Sequence, residues 1–400
     1  MVSRFKKMQR IAIFQYEWPI LSYTINLATK LAESGYVVDY FTKDCSLNFA
    51  DFNQLKDDKN VFMHVYATKK KQKIGNIIIS LIPFVDRTFN VISNNVLSES
   101  VDIIKNNAYT CFIGIEKKGM IWAGKVAEIN HVPYLYYSLE LYVEDMPFFQ
   151  NDKTFVDLRK EEIKYHKLSR ATIIQDEMRA EVLLKANEIK KMDLIYIPIS
   201  ILGGINEKRY HYFHEKYNID RNKKVLLCLG QITKNRLSFE LAEIAQSLGD
   251  EYVMVLHGPG ERKEVDKLRE KYSCEKLMIS NTLVPHEMLK QLIASAHIGL
   301  VMFRNEYFNE RLTAFSSEKI ALYLQSGIPI VGFDIGNYRK LMNICHCGEL
   351  IGNFDELPPV IDKIMSNYRY YSQKAFSAYN DHFNFEKHYH KLKTYLDHLN

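Results

Sequence analysis

The sequence predicts an α/β protein built from two doubly wound sheets of mostly parallel strands. Three observations predict it. Short apolar runs alternate with stretches of helical periodicity, and the rhythm restarts at residue 225 after a polar, linker-like stretch at 211–224. The chain opens with one β-α-β unit: a strand at 10–15, a helix at 22–34, a stop at Gly35 and a strand at 36–41. Finally, 400 residues are too many for a single core.

In the first half, further strands are expected at 61–66, 109–115, 133–137, 171–175 and 194–199, and helices at 119–129, 161–169 and 177–185. In the second half, strands are expected at 225–230, 252–257, 276–279, 298–303 and 328–333. Helices are expected at 237–248, 261–271 and 286–296, with terminal helices at 357–377 and 382–399. The expected domains are 1–200 and 201–378, with 379–400 a last helix that packs back on the first domain. Ligands bind outside the carboxyl ends of such strands, so a cleft between the two domains is the expected site.

Composition excludes several classes. The chain is 47% hydrophobic and 25% charged, which suits a globular protein. Its six cysteines include no CxxC pair, so neither a zinc site nor a disulfide framework is signalled, and a reducing, cytoplasmic setting fits. Cys345 and Cys347 make half a metal site at most, and no metal is expected. No dense basic-aromatic patch points to nucleic acid. No apolar run is long enough to span a bilayer. Residues 1–125 hold 17 Lys/Arg against 11 Asp/Glu, and a basic run at 69–73 precedes the apolar stretch 74–84. That pairing suits peripheral contact with an anionic membrane surface; a solvated loop before a core helix is the plainer alternative.

The densest chemistry lies in residues 310–331. Ser316, Ser317, Glu318 and Lys319 form a polar cluster at the start of a predicted helix, which Gly327 closes before a buried strand. Such a helix start favours phosphate, although Glu318 also reads as an ordinary first-turn acid.

The second half resembles the donor domain of a GT-B glycosyltransferase of the GT4-like group. The segments that carry the resemblance are LVPHEML at 283–289 with IASAHIGL at 293–300, HGPGE at 257–261, and the run from Lys319 to Val331. Gly230-Gln231-Ile232 followed by Arg236 is similar to the loop whose cation grips a diphosphate. The first half resembles the group more weakly, through YYSLELY at 136–142, which keeps Glu140, and through Pro19, Ser22 and Thr24. Counting back from Gly327, the group's usual carboxylate pair falls on Ala314 and Leu322, whereas Glu310 and Glu318 keep its spacing in another register.

The resemblance implies two Rossmann-like domains facing across a cleft. It also implies a metal-independent, retaining transfer of sugar from a nucleotide-sugar, a UDP-sugar favoured, to a glycan or lipid-linked acceptor, with no further cofactor. It would serve a bacterial surface polysaccharide. Arg236 and Lys319, with Lys234 in reserve, would meet the charge that develops on the leaving diphosphate. Gly230, Gly258 and Gly260 would admit the nucleotide close to the backbone. Glu310 and Glu318 would hold sugar or ribose hydroxyls, and Ser316 and Ser317, at the helix start, would also contact the donor. Glu17 and Ser22 are the acceptor-side candidates; a retaining transfer needs no dedicated base there, and were the enzyme inverting, Glu140, Glu17 and Glu144 would be the first bases to test. A non-catalytic subunit or glycan-binding protein with a decayed site, and a nucleotide-sugar epimerase, are the alternatives.

Overall fold

A computed structural model describes residues 9–16, 21–43, 55, 58–66, 92, 94–143 and 153–399. The chain forms two compact units. Unit 1 comprises residues 1–198 and 385–400, and unit 2 comprises 199–384.

Unit 1 contains seven strands: β1 (Arg10–Gln15), β2 (Val37–Lys43), β3 (Val61–Tyr66), β4 (Cys111–Ile115), β5 (Tyr134–Tyr137), β6 (Ala171–Ile174) and β7 (Asp193–Tyr196). They form one parallel sheet in the order β3-β2-β1-β4-β5-β6-β7. The central strands β4 and β5 are buried at every residue, as suits a parallel sheet covered on both faces. The last helix, Phe385–Asp397, belongs to this unit. Tyr389 Oη bonds Ser34 Oγ at 2.8 Å, and Glu386 pairs with Lys30 at 2.9 Å.

Unit 2 contains β8 (Lys224–Leu229), β9 (Tyr252–His257), β10 (Leu277–Ser280), β11 (Ile298–Leu300), β12 (Ile330–Phe333) and β13 (Gly348–Ile351), parallel in the order β10-β9-β8-β11-β12-β13. Separate apolar clusters cover its two faces, one around Val225, Tyr323 and Tyr338 and one around Leu226, Leu256 and Ile361.

Several elements depart from expectation. The polar stretch at 211–224 contains a short helix, Tyr212–Tyr217, because Phe213 is completely buried. The helix expected over 357–377 breaks at Asn367 into Leu357–Ser366 and Tyr368–Ala378. The helix expected from 382 starts at Phe385, after a wide helical turn over Tyr379–Phe383 and an extended Asn384. That turn belongs to unit 2, where Tyr379 Oη lies 2.6 Å from Gly203 O and 3.1 Å from Ile201 O. The helix Asn94–Ile104, the helix Tyr338–Cys345 and β13 are additions to the sequence reading. Among the described residues no helix is long and apolar enough to cross a membrane. The basic run 69–73 and the stretch 74–84 lie outside the described residues.

Candidate functional site

In unit 2 the strand order reverses between β8 and β11. Doubly wound sheets take ligands at this reversal, beyond the carboxyl ends of the strands. Here β8 runs into Gly230 (φ +141°) and β9 into Gly258 (φ +145°). A Cβ at Gly258 would lie 2.1 Å from the Gly230 carbonyl oxygen, so the two turns stack only because residue 258 is glycine. In front of Gly230 a Cβ would meet no atom within 4 Å, which leaves bare backbone facing open space. Asn281 locks the next residues: its Oδ1 accepts the Gly260 N–H at 2.8 Å and its Nδ2 donates to Gly260 O at 3.2 Å.

The helix Glu318–Gln325 is stitched to the end of β8 by Tyr323. Its buried hydroxyl donates to Leu227 O (2.8 Å) and accepts the Leu229 N–H (3.1 Å). One turn earlier, Lys319 Nζ sits 4.2 Å from the ring centre of Phe303, three residues past β11. Burial pushes the Lys319 ammonium down to about 8; the Arg236 charge adds to this and Cys228 opposes it. Phe303 also lies under the Arg236 guanidinium, at 6.0 Å.

Arg236 ends the short helical turn Lys234–Arg236. Its Nη1 is 4.0 Å from Glu310 Oε1. Burial raises the Glu310 carboxyl above its ordinary range, against the pull of Arg236. The other oxygen, Oε2, is buried and has no hydrogen-bond partner among the described residues. The loop behind Glu310 is fixed: Thr313 Oγ1 donates to Glu310 O (2.9 Å), and Asn337 Oδ1 accepts the Ala314 N–H (3.0 Å).

The structure thus brings Arg236, Glu310 and Lys319 together around Phe303. Lys234 is exposed on the same turn, its N–H held by Glu264 at 2.6 Å. Ser316 Oγ donates to Leu312 O at 3.2 Å, and buried Ser317 accepts the Ile320 N–H through its carbonyl at 3.1 Å. Both serines shape the loop. Glu318 is half-buried at the first helical position. Leu322 and Ala314, where the group's carboxylates would fall, are buried in the apolar core. Beside Phe303 a cavity of about 390 Å³ is lined by Leu237, Arg304, Glu306, Phe333 and Asp334, among others.

Unit 1 has its own reversal, between β1 and β4. Directly after β4, Glu116 is buried in a left-handed conformation (φ +61°). Its Oε1 accepts the N–H groups of Leu139 (2.7 Å) and Glu140 (2.8 Å). Arg179 Nη2 donates to Leu139 O (2.7 Å) and Gln175 Nε2 to Ser138 O (2.6 Å). These three side chains fix the backbone that carries half-buried Glu140. Glu17 and Glu144 lie outside the described residues, as does the side chain of Ser22, at the start of the helix Leu21–Glu33.

Sequence reasoning missed Phe303, Arg304, Tyr323, Glu116 and Arg179. For two of these a signal existed. Phe303 ends the strand predicted at 298–303 and Arg304 follows it directly, as Glu116 follows the strand predicted at 109–115.

No protein-family model matches the chain, and no curated protein matches it in sequence. Solved structures do match. HepE from Anabaena, crystallised in complex with UDP, superposes with a TM-score of 0.70 at 12% identity, over 98% of this chain and all of its own. A glycosyltransferase from Rickettsia africae gives 0.71 at 12%, over 98% of this chain and 99% of its own. WaaG, a glycosyltransferase involved in lipopolysaccharide biosynthesis, gives 0.62 at 12%, with the same coverage. The class this likeness defines is one of fold: the chain has the GT-B architecture, with two Rossmann-like parallel sheets of seven and six strands.

Proposed function

We propose that the protein is a glycosyltransferase that moves a sugar from a nucleotide-sugar, a UDP-sugar favoured, to a glycan or lipid-linked acceptor. The observation that carries the reading is the convergence of Lys319 and Arg236 on Phe303, beside the bare glycine turns at the strand reversal of unit 2. The UDP complex of HepE supports the choice of donor, and WaaG's part in lipopolysaccharide biosynthesis supports the choice of acceptor.

In this reading the nucleotide lies against Gly230, Gly258 and Gly260. Breaking the bond from sugar to diphosphate builds negative charge on the departing phosphate oxygen. Arg236 and Lys319 meet that charge, Arg236 as a planar fork and Lys319 as a point charge. Two fixed cations do the work a metal ion would otherwise do, so metal-independent transfer is part of the proposal. Glu310 offers its unpartnered oxygen to a donor hydroxyl, and Glu318 is held as a second such carboxylate. Glu140, with Glu17 and Ser22, is assigned to the acceptor. Retention of configuration is carried over from the family resemblance. Peripheral contact of the basic first domain with the cytoplasmic face of the membrane completes the proposal.

The test is calorimetric titration of UDP, GDP, ADP and CMP into the full-length protein, with and without EDTA. One nucleotide binding well and indifferently to EDTA is the expected result. A second reading, a decayed donor site in a glycan-binding protein or partner subunit, is favoured by Ala314 and Leu322 at the usual carboxylate positions. Failure of all four nucleotides to bind selects it.

A further inference from the structure

We propose that Arg304 is the positioning residue of the diphosphate grip, holding the Lys234–Arg236 turn in the conformation that carries Arg236 to Glu310 and Phe303. The inference rests on reading unit 2 as a nucleotide-diphosphate site.

The turn's own backbone bonds are few: Thr233 O accepts the N–H groups of Arg236 (3.1 Å) and Ser238 (3.3 Å), and Lys234 O accepts that of Leu237 (3.2 Å). The turn is three residues long, and it hands over to the next helix through Leu237, a buried, non-glycine residue in the left-handed region (φ +61°). Such a conformation persists only where its surroundings over-determine it. Here they do. Thr233 Oγ1 accepts the Arg236 N–H (3.3 Å), Ser238 Oγ accepts the Thr233 N–H (3.0 Å), and Glu264 accepts the Lys234 N–H. These contacts satisfy donors. Arg304 is the side chain that reaches the carbonyls at the turn's far side: Nη2 donates to Lys234 O at 2.9 Å, alongside the Leu237 N–H, and Nε to Asn235 O at 3.2 Å.

Two adjacent carbonyls need a donor with two N–H groups in one rigid plane, which guanidinium supplies and ammonium does not. Arg304 is itself aimed. Glu240 Oε1 accepts from its Nη2 at 3.0 Å, and Glu306 lies 3.9 Å from its Nη1. It follows Phe303 in the chain, so one dipeptide just past β11 supplies both the ring that the two cations share and the clamp that sets one of them. Arg236 is half-exposed, with 47% of its side-chain surface open to solvent. Without a fixed turn its guanidinium would have no set direction, and its contribution to anion affinity would be spread over many rotamers.

The test uses full-length protein and the variants Arg304→Met, Arg304→Lys, Arg236→Ala and the double variant Arg304→Met/Arg236→Ala. UDP, GDP, ADP and CMP are titrated into the wild type, and the tightest nucleotide and its parent nucleoside, the latter read by displacement, become the probes. In Arg304→Met, nucleotide affinity should fall about tenfold while nucleoside affinity stays within about twofold. Arg304→Lys should recover only part of the loss. The double variant should bind no more weakly than Arg236→Ala alone, because both changes disable one group. Undiminished nucleotide affinity in Arg304→Met, equal losses for nucleotide and nucleoside, or additive losses in the double variant would each overturn the role. A wild type that binds none of the four nucleotides would instead remove the donor-site reading, and this inference with it.

Discussion

Raising the pH should weaken diphosphate binding within a defined window, and Lys319 is the group responsible. Burial lowers its ammonium from 10.5 to about 8, the Arg236 charge adds to this, and Cys228 opposes it. Burial raises the Cys228 thiol above its ordinary value. A phosphate's second ionisation lies near pH 6, so the ligand's charge is already in place. Opposite charge at contact restores the ordinary lysine value near 10.4 in the bound state. Free protein at about pH 9 then has roughly one Lys319 in eleven protonated, while the bound form remains charged. Binding must take up nearly one proton, and affinity falls about tenfold between about pH 7 and pH 9. Below about pH 7 Lys319 is charged in both states and its own contribution is flat, and the phosphate's second ionisation near pH 6 then governs the profile. The sign for folding is the reverse of a paired lysine's: the depressed pKa is a cost that is fully present below 8 and is relieved as pH rises from 8 towards 10.5. Calorimetry of UDP in two buffers of different ionisation enthalpy measures affinity and proton uptake together. Lys319→Arg, which stays charged, should flatten the profile. An affinity in the wild type that is constant from about pH 7 to pH 9, with no proton taken up, would refute the assignment of Lys319 to the diphosphate.

Three further outcomes are expected. Arg236→Ala should slow turnover of the UDP-sugar by about 2–4 kcal/mol of barrier, since it removes one fixed donor to developing charge; steady-state release of UDP measures it, and unchanged turnover would take Arg236 out of the site. Gly258→Ala should destabilise the protein by more than about 1–3 kcal/mol in urea unfolding, because a Cβ would lie 2.1 Å from Gly230 O on a backbone at φ +145°; a wild-type unfolding midpoint would mean that the two turns are not stacked. Tyr323→Phe should cost about 1–3 kcal/mol by the same measurement, since the buried Leu227 carbonyl loses its donor and the partly buried Leu229 N–H, the amide at the end of β8, loses its acceptor. An equal midpoint would show that this amide finds another partner.

How much of this was legible follows from the range over which each residue acts. Strands that end in glycine announce themselves locally, so Gly230 and Gly258 could be placed before their stacking was known. The sheets were legible because a strand buried on both faces reads as a near-continuous apolar run, as in β4 and in β9 up to His257. What stayed hidden was settled by distant partners. Nothing local separates Arg304 from any exposed arginine; its role comes from carbonyls some seventy residues earlier in the chain. Tyr323 looked like one more apolar position of a helix, yet its hydroxyl joins that helix to β8, 96 residues away in sequence. The break at Asn367 was hidden because the helices on either side of it are both amphipathic and merge into one periodic run.

The carboxylates are where pattern and chemistry part. Ala314 and Leu322 occupy the places where the family resemblance expects acids, and both lie within an apolar cluster. A carboxylate at either would be desolvated among hydrocarbon, and burial would push it towards taking a proton rather than holding a hydroxyl as an ion. Glu310 solves the same problem elsewhere. Its backbone is fixed by Thr313, one oxygen lies 4.0 Å from Arg236, and the other is buried without a partner. A buried acceptor left open costs about 1–3 kcal/mol unless a ligand satisfies it. The pair is therefore arranged to be completed. A diphosphate that draws Arg236 away from Glu310 lifts the larger of the two attractions, from Arg236 and Arg304, that hold its carboxyl charge against burial. A donor hydroxyl bonded to Glu310 replaces that attraction at the same moment. Binding of the leaving group and binding of the sugar are thus coupled through a single ion pair, and the anion should bind more tightly with the sugar attached than without it.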